Sequence, residues 1–336
     1  MYSTEKKFNT IAMVIFSAVT VLLIAMRTVI ANKFIESVSG FYLGGKAMVL
    51  AFNVILVLFT AAIIVLPLIR LRKKRLNVRP SGRVMGIMSL ILAAGFVYDV
   101  YSSMSIFSTS KASHHFISLL SSARTETTNI AVDIFQGYAL LISAIFALIS
   151  LIYFVILASS CFSESEGYSK HGVLALAPVW WCVFKAVYFM LIPMNFSRIS
   201  DLLYEIVMIA FLLLFFIAFA RVASRIDGER CVGKVIVYGA GAAVFGAISS
   251  VPRLIAKLIG AHGVVYTSPQ DVTEVIYKSD YCFMALAVFI FCTGFVFYAL
   301  NRISKGNAYL ESTQEKIELI ELEFEEKERS QTKDEE

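Results

Sequence analysis

"AFNVILVLFTAAIIVLPLIRLRKKRLNVRPSGRVMGIMSLILAAGF" runs from Ala51 to Phe96. An apolar run gives way to a block of cations, and a second apolar run follows at once. About 20 apolar residues in a helix cover the roughly 30 Å hydrocarbon core of a bilayer. The block "RLRKKRLNVRPSGR" (70–83) carries seven Lys or Arg. The pattern predicts two membrane-crossing helices joined by a basic turn.

The same alternation recurs along the chain. Eight runs of sufficient length are found, at 9–31, 46–69, 84–107, 131–159, 171–193, 199–221, 234–256 and 281–301. The first follows Lys6 and Lys7, as a signal peptide would, but its apolar stretch is too long for one and reads as a span. Of the 336 residues, 58% are hydrophobic and 16% charged, against about a quarter charged in soluble domains. The net charge of +5 sits in short segments between runs, so a nucleic-acid surface is not expected. The expected fold class is all-α, a polytopic membrane helix bundle of eight transmembrane helices with the lipid bilayer as its first partner.

Short loops rich in Lys and Arg stay on the cytoplasmic side. Segment 70–83 has seven such residues and 221–234 has four, whereas 32–45 holds only Lys33 and 194–198 only Arg198. Both basic loops are therefore expected inside. The even number of spans then places both termini in the cytoplasm, in a multi-pass protein of the cell membrane, with 108–130 and 257–280 as the long outward loops.

The basic junction is written twice. "RPSGRV" (79–84) reappears as "RCVGKV" (230–235), an offset of 151 residues from Arg79 to Arg230. The same offset pairs Arg70 with Arg221, Gly82 with Gly233 and Gly95 with Gly246 without a gap. This suggests two parallel four-helix units, 1–160 and 161–301, followed by an acidic tail at 302–336. A unit with an even number of spans re-enters the membrane in the same orientation, so the expected relation is a 4+4 parallel repeat.

Charges inside apolar spans are expensive and are functional candidates by default. At 1.5 Å per helical residue, Asp99 sits about 22 Å above the cytoplasmic start of its span, Lys185 about 21 Å up, and Glu205 about 9 Å below the outer face. All three fall in one layer of the outer half. Asn53, Gln136 and the higher Arg27 and Asp133 sit near it. Lys185 is expected to approach Asp99 or Glu205. "APVWWCVFK" (177–185) adds Trp180 and Trp181 at depth, after Pro178, which is expected to start or kink the regular helix. The candidate solute-binding set is Asp99, Lys185, Glu205, Asn53, Gln136 and Trp181.

Other motifs carry less. "YGAGAAVFGA" (238–247) lacks nucleotide-loop spacing, and its small residues are expected to permit close helix contact. His114, His115 and His262 have no acidic or thiol partners at ligand spacing, so no metal or cofactor is expected. Cys161, Cys182, Cys231, Cys282 and Cys292 form no C-x-x-C pair and read as small apolar residues. Arg72, Arg79, Pro80, Ser81 and Gly82 partly resemble the phosphate-binding signature of membrane lipid phosphatases, but the catalytic histidines are missing and the resemblance is set aside. No catalytic constellation is present, and the chain is expected not to be an enzyme.

The tail "YLESTQEKIELIELEFEEKERSQTKDEE" (309–336) is acidic with a short apolar stripe, a helix that suits a cytosolic protein partner. These features predict a solute permease with a polar site in the outer half of the bundle. The alternative is a membrane sensor or regulatory subunit signalling through the tail. Reporter fusions after Arg79 and Arg230 should read as cytoplasmic and those after Ala112 and Gln270 as external. Seven crossings with an external N-terminus would contradict this topology.

Overall fold

The computed structural model describes residues 2–34, 44–71, 80–110, 131–163, 165, 167–191, 199–224, 226, 228–259 and 283–303. The basic block 72–79, the long loops 111–130 and 260–282 with all three candidate histidines, Cys282, the Asp133 side chain and the tail from 304 lie outside the described residues. Eight long helices account for almost all that is described, and no strand occurs among the described residues. They are α1 (Tyr2–Lys33), α2 (Lys46–Leu71), α3 (Arg83–Thr109), α4 (Ala131–Phe162), α5 (Ala177–Leu191), α6 (Ile199–Ala223), α7 (Gly228–Ile259) and α8 (Phe283–Ile303). Two 3-10 turns, Gly167–His171 and Leu174–Leu176, lead into α5.

All eight helices contain a stretch long and apolar enough to cross a bilayer, at the places the apolar runs indicate. The fold is thus compatible with an integral membrane protein. Its outer faces agree with that reading, because Leu50, Val57 and Leu58 on α2 and Val14 and Val21 on α1 are exposed. Many hydroxyls inside the bundle close on their own helix. Ser89, Ser150 and Ser250 each donate to the carbonyl four residues earlier, at 2.8, 2.6 and 2.6 Å. This spares an apolar surrounding the cost of an open donor.

Pro178 falls in the first turn of α5, where its missing N–H is not needed and its fixed φ suits the helix. The first regular turn therefore starts there, and the preceding residues take the tighter 3-10 form.

The helices are centred on α7 and α8. For α7, 83% of the apolar window is buried, against 17% for α2, which marks α7 as central and α2 as an edge. Its small residues permit this position. A Cβ on Gly241 would stand 2.5 Å from Phe211 of α6, and one on Gly246 would stand 3.2 Å from the Ala285 carbonyl oxygen of α8. Such close backbone approach is how membrane helices gain van der Waals contact where lipid removes the hydrophobic drive between them. On the other side of α8, an aromatic core joins four helices. Phe154 of α4 lies 5.7 Å from Phe96 of α3 and 5.4 Å from Phe291 of α8, and Phe219 of α6 lies 5.3 Å from Phe295 of α8.

The neighbours of the repeated segments differ. Symmetric halves would set α2 on α3 as α6 is set on α7, and Gly95 on α4 as Gly246 is set on α8. Among the described residues, α2 leans on α1 and α7, while α6 and α7 pack closely together. Gly95 faces Met284 and Ala287, so both glycines close on α8. The packing of the described residues does not show the expected 4+4 relation, which rests on sequence spacing alone.

The turn before α3 is also anchored to α8. Gly82 has φ +94°, a conformation that side chains strain, and it precedes the helix directly. Beside it, Ser81 Oγ lies 3.0 Å from the Tyr298 hydroxyl and accepts from Arg302 Nη2 at 3.0 Å.

Gly246→Val should lower thermal stability by about 1–3 kcal/mol, because the atom in the way is backbone. Gly294→Ala should be much milder, since it meets only the flexible side chain of Met88, with Cγ at 3.0 Å. Equal effects in a detergent melting assay would contradict the α7–α8 contact.

Candidate functional site

The buried face of α5 carries Pro178, Trp181, Cys182, Lys185, Tyr188 and Phe189, a helical stripe with spacings of three and four. Trp181 and Lys185 are one turn apart on it. On α3, Asp99 and Ser103 are also one turn apart and both buried. The two pairs face each other. Lys185 Nζ donates to Asp99 Oδ1 at 2.7 Å and to Ser103 Oγ at 3.3 Å, and Trp181 Nε1 donates to Asp99 Oδ2 at 2.8 Å.

The Lys185 and Asp99 side chains are only 4% and 3% exposed, so neither reaches solvent. Each oxygen of the carboxylate has a donor. The ammonium also lies 5.7 Å from the Tyr188 ring centroid, and Phe96 meets Trp181 edge-on at 5.1 Å. α4 packs against both α3 and α5, closing the cluster from the side. This arrangement meets the requirement for a buried ion pair: good geometry plus further hydrogen bonds on the same groups.

A second cluster forms on the other side of the bundle. Glu205 of α6 pairs with Arg253 of α7 at 2.5 Å. Side chains on a helix lean toward its N-terminus. Glu205 is near the start of α6 and Arg253 near the end of α7, so in this antiparallel pair the two lean toward each other. The Arg27 guanidinium of α1 sits over the Tyr204 ring at 5.2 Å, and the Tyr204 hydroxyl donates to Asn53 Oδ1 of α2 at 3.5 Å. Arg27 and Glu205 are buried, the Arg253 side chain is 17% exposed, and Asn53 is exposed. This cluster thus reaches from the interior to the surface, unlike the first.

The expected layer therefore divides into two groups. Lys185 meets Asp99, with Trp181 as a third member. Glu205 belongs with Arg253 instead, and Asn53 is its neighbour through Tyr204. Gln136 is half-buried near the start of α4 and joins neither cluster among the described contacts. The adjacent tryptophans separate, since Trp181 is fully buried while Trp180 is half exposed and lies against Phe146. Arg253, Ser103 and Tyr204 were not singled out from the sequence. Arg253 had a readable signal as a cation within an apolar run, whereas Ser103 and Tyr204 gain significance only from their neighbours. Among the described residues, no three His, Cys, Asp or Glu side chains gather as metal ligands would.

Lys185→Met should cost about 3–5 kcal/mol, because the Asp99 carboxylate stays buried without its cation. Pairing it with Asp99→Asn should recover much of that loss. Trp181→Phe keeps the ring against Phe96 but removes the N–H donor, with an expected cost of about 1–3 kcal/mol. Thermal melts of the purified variants measure all three, and a double variant no more stable than Lys185→Met would contradict the pairing. The chain matches no protein-family model, no curated protein and no solved structure, so the functional reading rests on this geometry.

Proposed function

We propose that the chain is a multi-pass membrane permease for a small polar solute, bound in the outer half of the bundle. The observation that supports it is the contrast between the two charged clusters. The Asp99–Lys185–Trp181 cluster is almost fully buried and links α3 to α5. The Glu205–Arg253 cluster spans α1, α2, α6 and α7, and its Arg253 side chain is 17% exposed. A charged site inside apolar helices that still reaches the surface is what a solute path requires.

In this reading both termini and the basic loops face the cytoplasm of a cell membrane, and the acidic tail docks a cytosolic protein. The two four-helix units descend from one duplicated segment. No catalytic step is assigned to any residue.

Uptake by vesicles containing the purified chain, measured across a panel of metabolites, tests the proposal. A transported solute should lose most of its uptake in Arg253→Gln, at unchanged protein abundance. A ligand that stabilises the protein but is never taken up would favour the sensor alternative. No uptake and no stabilisation by any solute would end the permease reading.

A further inference from the structure

The two basic junctions fold differently. The offset that pairs Arg79 with Arg230 sets Ser81 against Val232 and Gly82 against Gly233. α7 runs from Gly228 through Gly233 without a break, whereas α3 starts only at Arg83, after Gly82 has taken φ +94°. Ser81 is thus left outside the helix, where its backbone N–H and its hydroxyl can both bond elsewhere. Both do so on α8. The Ser81 N–H donates to the Tyr298 hydroxyl at 3.2 Å, and Ser81 Oγ lies 3.0 Å from that hydroxyl. Arg302, one turn further along α8, donates from Nε to the Tyr298 hydroxyl at 3.1 Å and from Nη2 to Ser81 Oγ at 3.0 Å. Three residues close into a ring. Val232 could not join such a ring, because a valine side chain has no polar atom.

α3 is therefore held at two levels of unequal strength. Asp99 lies about 24 Å along the helix from Arg83. There the buried ion pair with Lys185 joins α3 to α5. At the start of α3, Arg302 is exposed and Ser81 and Tyr298 are half-buried, so water can replace each bond as it breaks. A buried charge has no such substitute. Between these levels α3 meets α8 at Gly95 and Gly294, where one side of each contact has no side chain to interlock. A tilt of α3 against α8 therefore opens first at Ser81.

We propose that Ser81, Tyr298 and Arg302 form an inner gate, a latch that holds the start of α3 against the end of α8 and releases when a path opens at that end of the bundle. The assignment rests on the permease reading for what passes and on the Lys and Arg count for calling this end cytoplasmic. Glu205 and Arg253 lie at the opposite ends of their helices, near the start of α6 and the end of α7. A path with its site there has to be closed at the Ser81 end while the other is open, and released there in the next stage.

The test uses the full chain in lipid nanodiscs and needs no solute. Spin labels on Arg83→Cys and Asn301→Cys, both exposed positions beside the latch, report the separation of the two helix ends. The four cysteines of the described residues are buried, and Cys282→Ser removes the fifth from labelling. With the latch intact, one short separation should predominate. Ser81→Ala and Tyr298→Phe should each raise the population of a second, longer separation by about two- to tenfold, the scale of one lost hydrogen bond. Ser108→Ala removes a hydroxyl that bonds the Ser105 carbonyl near the far end of α3, and it should change nothing.

A contact with a merely structural role would lower the melting temperature of both variants and leave a single separation. That result, or a long separation predominating while the latch is intact, overturns the gate. Both substitutions remove one polar atom at a site open to water, so the variants should fold. Absence of uptake for every solute, with the separations shifting as stated, would count against the permease and leave the latch standing.

Discussion

A charge placed inside an apolar bundle must be neutralised by another helix, and most of the architecture around α5 follows from that requirement. Lys185 cannot reach solvent, so α3 has to present Asp99 at its level, with Trp181 and Ser103 completing the coordination. A carboxylate with a donor on each oxygen tolerates little sliding of α3 against α5. The contact therefore sets register as well as proximity. Apolar packing alone would not, because lipid chains compete on equal terms with leucine or valine for the same surfaces.

Close packing supplies what polar closure does not. Gly241 and Gly246 admit Phe211 and the backbone of α8 to the surface of α7, and the phenylalanines of α3, α4, α6 and α8 interlock on the far side of α8. The bundle is therefore dense at its centre and thins toward α2. That gradient explains why the two charged clusters differ. The one flanked by α4 is sealed, and the one bordered by the peripheral α2 retains an exposed edge at Asn53.

In the proposed permease, these differences divide the labour. A sealed ion pair costs too much to open in every cycle, so it suits a fixed strut. A pair whose cation is partly exposed is better placed to meet a solute. A cation paired with a carboxylate between helices thus suits a different role according to its burial.

The helices themselves were legible from composition, since apolar runs of bilayer length and intervening charges follow from the transfer free energy of each residue, which needs no partner to define it. The level of the charged residues was also readable, because the rise per residue is constant along a helix. By that count both Asp99 and Glu205 fall at the level of Lys185. Which acid took which cation was not readable. Glu205 and Asp99 lie at similar depth, and only the lateral placement of α6 beside α7 gives Glu205 to Arg253. The repeated "RPSGRV" and "RCVGKV" suggested equal halves, but spacing along a chain says nothing about which side faces a neighbour. Gly95 and Gly246 both turn to α8. Depth is a one-dimensional property and can be counted, whereas partnership depends on how helices pack around one another in the plane.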